Sequence, residues 1–170
     1  MQELLEQIEY QSAQAPSDMG LTLWRAVFSL AHVDGAISEE ERDLIDQVME
    51  IFSFTDTQRK KIAEDLQSAG NTLGLFQEIE LPLYRSQFFR LARIVIWCDG
   101  LLHENELAVI ETIRKSLGDD VIDYASDLRW IARKPDLPMG ESAQSPEEEM
   151  MKHIIYQMIS FYEQQESEHS

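Results

Sequence analysis

The chain has 170 residues, 44% of them apolar, with seven glycines and five prolines, a composition that fits one globular domain, or one domain with an appended segment, and excludes a disordered chain. A formal charge of -18 repels phosphate backbones and anionic headgroups, which sets aside nucleic acid and direct lipid binding and favours basic proteins or cations as partners, while direct membrane insertion is set aside because no apolar run is long enough to span a bilayer. The single cysteine, Cys98, excludes an intrachain disulfide framework and zinc sites of paired cysteines, and the lack of a signal-like N-terminus or a run of roughly 18 apolar residues makes the cytoplasm the expected compartment.

Apolar residues recur at helical spacing along the chain, and strand-type alternation is nearly absent. Ser17 precedes a first helix with the stripe Trp24, Val27, Leu30 and Ala31. Ser38 and Glu41 form a capping box ahead of a second helix, whose stripe is Leu44, Ile45, Val48 and Phe52. Thr55 and Gln58 form another box, and Gly70 with Asn71 is expected to stop that third helix. Pro82 opens a long helix running to about Cys98, a further helix spans roughly Glu104 to Leu117 before Gly118, and Asp120 to Arg133 reads as one last helix of the domain.

Pro135, Pro138 and Gly140 mark residues 135–145 as a linker between a helical domain over 1–134 and a C-terminal helix over 146–165. Ser145, Pro146 and Glu148 can start that helix, and Met150, Ile154, Met158 and Phe161 require a surface to cover. That surface is either the domain itself or another chain, the second case giving a homodimer. The tail from Glu163 to Ser170 is expected to fray. The fold class is all-α, a compact bundle of about seven to eight helices.

Laying Trp24–Phe52 over Phe89–Leu117 at an offset of 65 residues aligns a helix–turn–helix unit without a gap. Arg25 meets Arg90, Asp34 meets Asp99, Gly35 meets Gly100, Glu39 meets Glu104, Glu41 meets Glu106 and Ile45 meets Ile110, while Phe28 against Arg93 breaks the match. The repeat units cover about 21–53 and 86–118. Neither helix pair can bury its own apolar stripe, so the two are expected to pack face to face about a pseudo-two-fold axis, and the segment Thr55–Ile79 offers no evident counterpart.

Each unit carries the second half of an EF-hand calcium loop: Asp34-Gly35 with Ile37 and Glu41, and Asp99-Gly100 with Leu102 and Glu106. The first half is missing, since Leu30 and His32, or Val95 and Trp97, stand where carboxylates belong. Calcium takes roughly six to eight oxygens, so neither turn alone suffices, and a site requires both to converge. Helix punctuation accounts for the same residues: Gly35 and Gly100 in left-handed backbone, Ile37 or Leu102 plugging the core, and Ser38 with Glu41 capping the next helix. Asp34 and Asp99 are not required by any cap.

An aliphatic helix ending in Asp-Gly, an aliphatic residue two positions on and Glu in the next helix, used twice in an all-helical domain, resembles the tellurite-resistance TerB-like family over roughly Asp18 to Trp130. The resemblance implies a bacterial cytoplasmic stress-response domain that acts as a non-enzymatic adaptor for a protein partner, near membrane-associated complexes. It also implies a divalent metal, calcium or similar, on the acidic turns. Carried to this chain, the metal residues are Asp34, Glu41, Asp99 and Glu106, with Glu39, Glu104 and His32 as secondary candidates. His32 and Trp97 before the turns, His103 at the cap and the helix after Ser145 depart from the family pattern.

Other chemistry lacks an anchor. Glu149 and His153 lie four apart and not three, against a di-iron bundle. Cys98 has no basic neighbour in sequence to activate it, and no phosphate loop, nucleophile elbow or HExxH motif is present. No catalytic residue is expected. The adaptor therefore stands against a divalent-cation buffer or sensor as the two functional alternatives.

Overall fold

The computed structural model describes residues 15–33, 36–68, 70–98, 101–118 and 124–134, together with 152, 154 and 156–158. The helices are α1 (Asp18–Ser29), α2 (Glu39–Ile51), α3 (Asp56–Asp65), α4 (Thr72–Gln77), α5 (Pro82–Ile96), α6 (Glu104–Ser116) and α7 (Leu128–Ile131). Short 3-10 turns follow at Leu30–His32 and Tyr124–Ser126. The described residues contain no strand and no helix long and apolar enough to cross a membrane.

Local chemistry starts the helices where the sequence places the signals. The Ser17 hydroxyl accepts the Gly20 amide at 3.1 Å, satisfying one of the orphan donors of the first turn. Both capping boxes close: Ser38 and Glu41 exchange bonds at 3.1 Å each way, and Thr55 with Gln58 does so at 3.0 and 3.1 Å. Pro82 occupies the start of α5, where its missing N–H removes no helical bond. At the far end of α2, Ser53 adopts left-handed backbone (φ 55°), so that Phe54 N–H reaches the Met49 carbonyl at 3.0 Å in a Schellman closure. Gly118, 65 positions on, has φ 62° after α6.

Two helices bury half of their residues or slightly more. α1 buries Leu23, Trp24, Ala26, Val27, Phe28 and Ser29, and α5 buries Gln87 through Phe89, Leu91, Ala92 and Ile94 through Ile96. They pack against each other, and α4 packs on both α1 and α6. Trp24 gathers Phe28, Phe52 and Phe54 at ring separations of 5.3, 5.6 and 6.5 Å. Phe76 of α4 holds Phe88 and Phe89 at 5.0 and 5.6 Å. Each such aromatic brings about 1.5–3 kcal/mol of transfer free energy on full burial, before the entropy of ordering it is subtracted.

The helices differ from the sequence expectations after Asp65 and within Asp120–Arg133. The third helix stops at Asp65, not at Gly70, and Asn71 starts the extra helix α4 by accepting the Gly74 amide at 3.1 Å. Gly70 brings the chain against α1, since a Cβ there would lie 2.8 Å from the Ser29 carbonyl oxygen. The stretch expected as one helix over Asp120–Arg133 is divided, within its described part, into the turn at Tyr124–Ser126 and α7, because the Asp127 carboxylate captures the Arg129 amide at 2.9 Å as an N-cap.

The segment after the linker meets the domain. Ile154 and Met158 are buried in the same core as α1 and α5. Gln87, a buried amide on the apolar face of α5, donates to the Gln157 carbonyl at 3.3 Å and to Met158 Sδ at 3.6 Å. A buried amide requires such partners, because burying it without them costs roughly 1–3 kcal/mol.

Candidate functional site

Glu41 and Glu106 stand at the third position of α2 and α6, two helices of 13 residues each whose bounds coincide at the 65-residue offset. Both carboxylate-bearing residues are buried. Glu41 Oε1 accepts the Ser38 amide, so this acid serves the helix start and gains from the positive end of the helix dipole. His103 makes no side-chain capping bond on α6, yet Glu106 is retained there and more deeply buried than Glu41. Glu39 and Glu104 are exposed. Asp34 and Asp99, the carboxylates that no cap requires, lie outside the described residues, as do Gly35 and Gly100.

His32 is half-buried, and its Nε2–H donates to the Leu66 carbonyl at the end of α3. Nδ1 is buried and has no hydrogen-bond partner among the described residues. At the corresponding place after α5, Trp97 Nε1–H donates to the Ile131 carbonyl at 3.0 Å. Arg93, where the first unit has Phe28, stacks over Trp130 at 4.3 Å and donates to the Arg133 carbonyl at 3.0 and 2.7 Å. The mismatch with Phe28 therefore serves the end of α7. Arg90 hydrogen-bonds Ser86, and Arg25 pairs with Asp65.

The two turns treat their aliphatic residues differently. Ile37 packs against the core, as helix punctuation requires. Leu102 does not plug the core: it is 37% exposed, and Leu101 beside it is 63% exposed. The second turn thus presents two leucines to solvent directly before the acidic first turn of α6, Glu104 and Glu106. Among the described residues, no group of three or more His, Cys, Asp or Glu side chains is arranged to hold a metal ion.

No protein-family model, curated protein or solved structure matches the chain. Sequence reasoning missed the exposed Leu101–Leu102 pair, because Ile37 and Leu102 occupy the same place in the motif and only their surroundings differ. It also missed the bond between His32 and Leu66, whose partners lie in different helical units.

Proposed function

We propose that this chain is a non-enzymatic helical adaptor, built on a duplicated helix pair and TerB-like in type, that docks a protein partner on the second Asp-Gly turn. The observation that carries the reading is the exposure of Leu101 and Leu102. Adjacent exposed leucines cost solubility unless something covers them in use, and the exposed Glu104 follows Leu102 two positions on. A chain of net charge -18 attracts a basic segment, so the partner is an amphipathic peptide with apolar anchors and flanking Lys or Arg. The coincident bounds of α2 and α6, the left-handed Ser53 and Gly118, and the paired His32 and Trp97 bonds support the duplication. A cytoplasmic role in a stress response, near a membrane-associated complex, is what the TerB resemblance adds to this reading.

The test is fluorescence anisotropy with a labelled amphipathic Lys/Leu peptide, comparing the intact chain with a Leu101→Ser, Leu102→Ser variant. The expected result is salt-sensitive binding weakened about tenfold or more in the variant with an unchanged melting temperature, since truncating a buried anchor costs upwards of roughly 1–2 kcal/mol. Equal affinity of both proteins rejects the leucine pair as the docking surface.

A divalent-cation role is the second reading, on Asp34, Glu41, Asp99 and Glu106. The observation that favours it is His32, whose Nε2–H is held by a backbone carbonyl while buried Nδ1 keeps a lone pair. This is the outer hydrogen bond that orients metal-binding histidines. Thermal unfolding of chelator-stripped protein, with and without calcium, magnesium, manganese or zinc, decides it. A stabilisation lost in the Asp34→Asn, Asp99→Asn variant supports the site, and no shift for any ion rejects it.

A further inference from the structure

Arg25 crosses from α1 to the last residue of α3 and pairs side-on with Asp65, Nε to Oδ2 at 2.6 Å and Nη2 to Oδ1 at 3.1 Å. That pairing uses one edge of the guanidinium. Nη1 has no hydrogen-bond partner among the described residues, and Arg25 and Asp65 line a cleft of about 370 Å³ at the junction of α1, α3 and α4. Ligand clefts run from roughly 300 to 1,000 Å³, so this one suits a small molecule.

Three other lining residues bring complementary groups. Asn71 uses Oδ1 to cap α4 at Gly74, which leaves its Nδ2 donors without an acceptor among the described residues. Glu78 is exposed and forms no ion pair with a described residue. Its charge reaches Arg25, whose pKa is held above the usual guanidinium value first by the Asp65 hydrogen bond and to a smaller extent by Glu78. Gly70 lines the cleft as bare backbone, which a Cβ would press to 2.8 Å from the Ser29 carbonyl oxygen.

We propose that this cleft binds a small zwitterion of the free α-amino-acid class, its carboxylate on Arg25 Nη1 and Asn71 Nδ2 and its ammonium on Glu78. A pure anion is opposed by the field of a protein of charge -18 and by Asp65 and Glu78. A pure cation is opposed locally by Arg25. A molecule with both charges a few ångströms apart meets neither penalty and satisfies donors and acceptor together. This site is independent of the docking surface on the second turn.

The experiment is a two-dimensional amide NMR titration of the full chain with each of the twenty free L-amino acids at millimolar concentration. Amino-acid amides, which lack the carboxylate, and N-acetyl amino acids, which lack the ammonium, are the controls. The expected result is saturable shifts at Gly70, Asn71 and Gly74 for one or a few amino acids, weakened about tenfold in either control, the loss of one charge-assisted hydrogen bond. Asn71→Asp keeps the capping oxygen while replacing the amide donor with a repelling carboxylate, and Glu78→Gln keeps shape without charge. Each is expected to weaken binding by a similar factor without a change in melting temperature. No saturable shift with any amino acid overturns the proposal, and so does equal binding of the amide or the N-acetyl control.

Discussion

Trp97 donates its indole N–H to the Ile131 carbonyl at 3.0 Å, and each of these residues lies 65 positions beyond its counterpart in the bond between His32 and Leu66. An aromatic N–H placed just after a buried helix satisfies a carbonyl at the end of a later one, once in each half of the chain. The correspondence reaches past the helix pairs that the sequence aligns, since Leu66 and Ile131 both lie beyond them. Trp97→Phe keeps most of the ring volume and deletes the donor. It is expected to cost about 1 kcal/mol, the usual net value of one hydrogen bond, read as a lower urea midpoint at constant slope.

Ser53 sits at φ 55° where Gly118 sits at φ 62°. A side chain in left-handed backbone is strained by roughly 1 kcal/mol, and glycine is not. Ser53→Gly is therefore expected to raise stability by up to about 1 kcal/mol, less the added freedom of the unfolded chain, and Gly118→Ala to lower it by a similar amount. Thermal unfolding of both variants checks the sign; a destabilised Ser53→Gly contradicts it.

The two acidic helices differ in their caps. Ser38→Ala removes the hydroxyl that accepts the Glu41 amide at 3.1 Å and is expected to cost about 1 kcal/mol. His103 caps nothing with its side chain but has the extended backbone (φ -100°, ψ 123°) that a cap requires.

The pair of Arg25 with Asp65 is one-fifth exposed on each side, so its value is reduced by solvent screening. Arg25→Lys loses the side-on fork that a single ammonium cannot reproduce and is expected to cost about 1 kcal/mol. The raised pKa of Arg25, caused first by the Asp65 hydrogen bond, places its contribution fully below the ordinary guanidinium value and loses it only as pH rises through the higher folded one. The cost of Arg25→Lys from this source is therefore expected to be flat between about pH 6 and pH 9.

Asp127 is held below the usual carboxylate value by the Arg129 side chain first and by the Arg129 amide next. A depressed acid adds stability that is present above the ordinary carboxylate range and fades as pH falls through the lowered value. Carbon-13 NMR of the Asp127 carboxyl is expected to show a titration below the ordinary aspartate value of 3.8, moving upward in Arg129→Ala. An unmoved titration rejects the side-chain bond as the main cause.

The helix starts were legible in the residues because a cap is a contact over three positions. Ser17, Ser38, Thr55 and Pro82 each open the helix expected of them. α4 was not legible: it has six residues, too few for a periodic signal, and it holds through the burial of Phe76 between Phe88 and Phe89. Of the acidic candidates, the exposure of Glu39 and Glu104 follows from their place on the outer face of a first turn. The burial of Glu41 and Glu106 came only with the packing beneath them.

The amino-acid sequence by itself determined that the protein is helical, where most of its helices begin, and that it carries a large negative charge. Those properties follow from composition and from contacts within a turn of helix. The tertiary structure decided that Ile37 turns inward while Leu102 stays exposed, and that Arg25 finds Asp65 across 40 positions. It also decided that Gln87 can be buried, because the C-terminal segment supplies its acceptor 70 positions away. Each depends on which distant residue fills the space opposite, and a local pattern of polar and apolar residues carries no record of that neighbour.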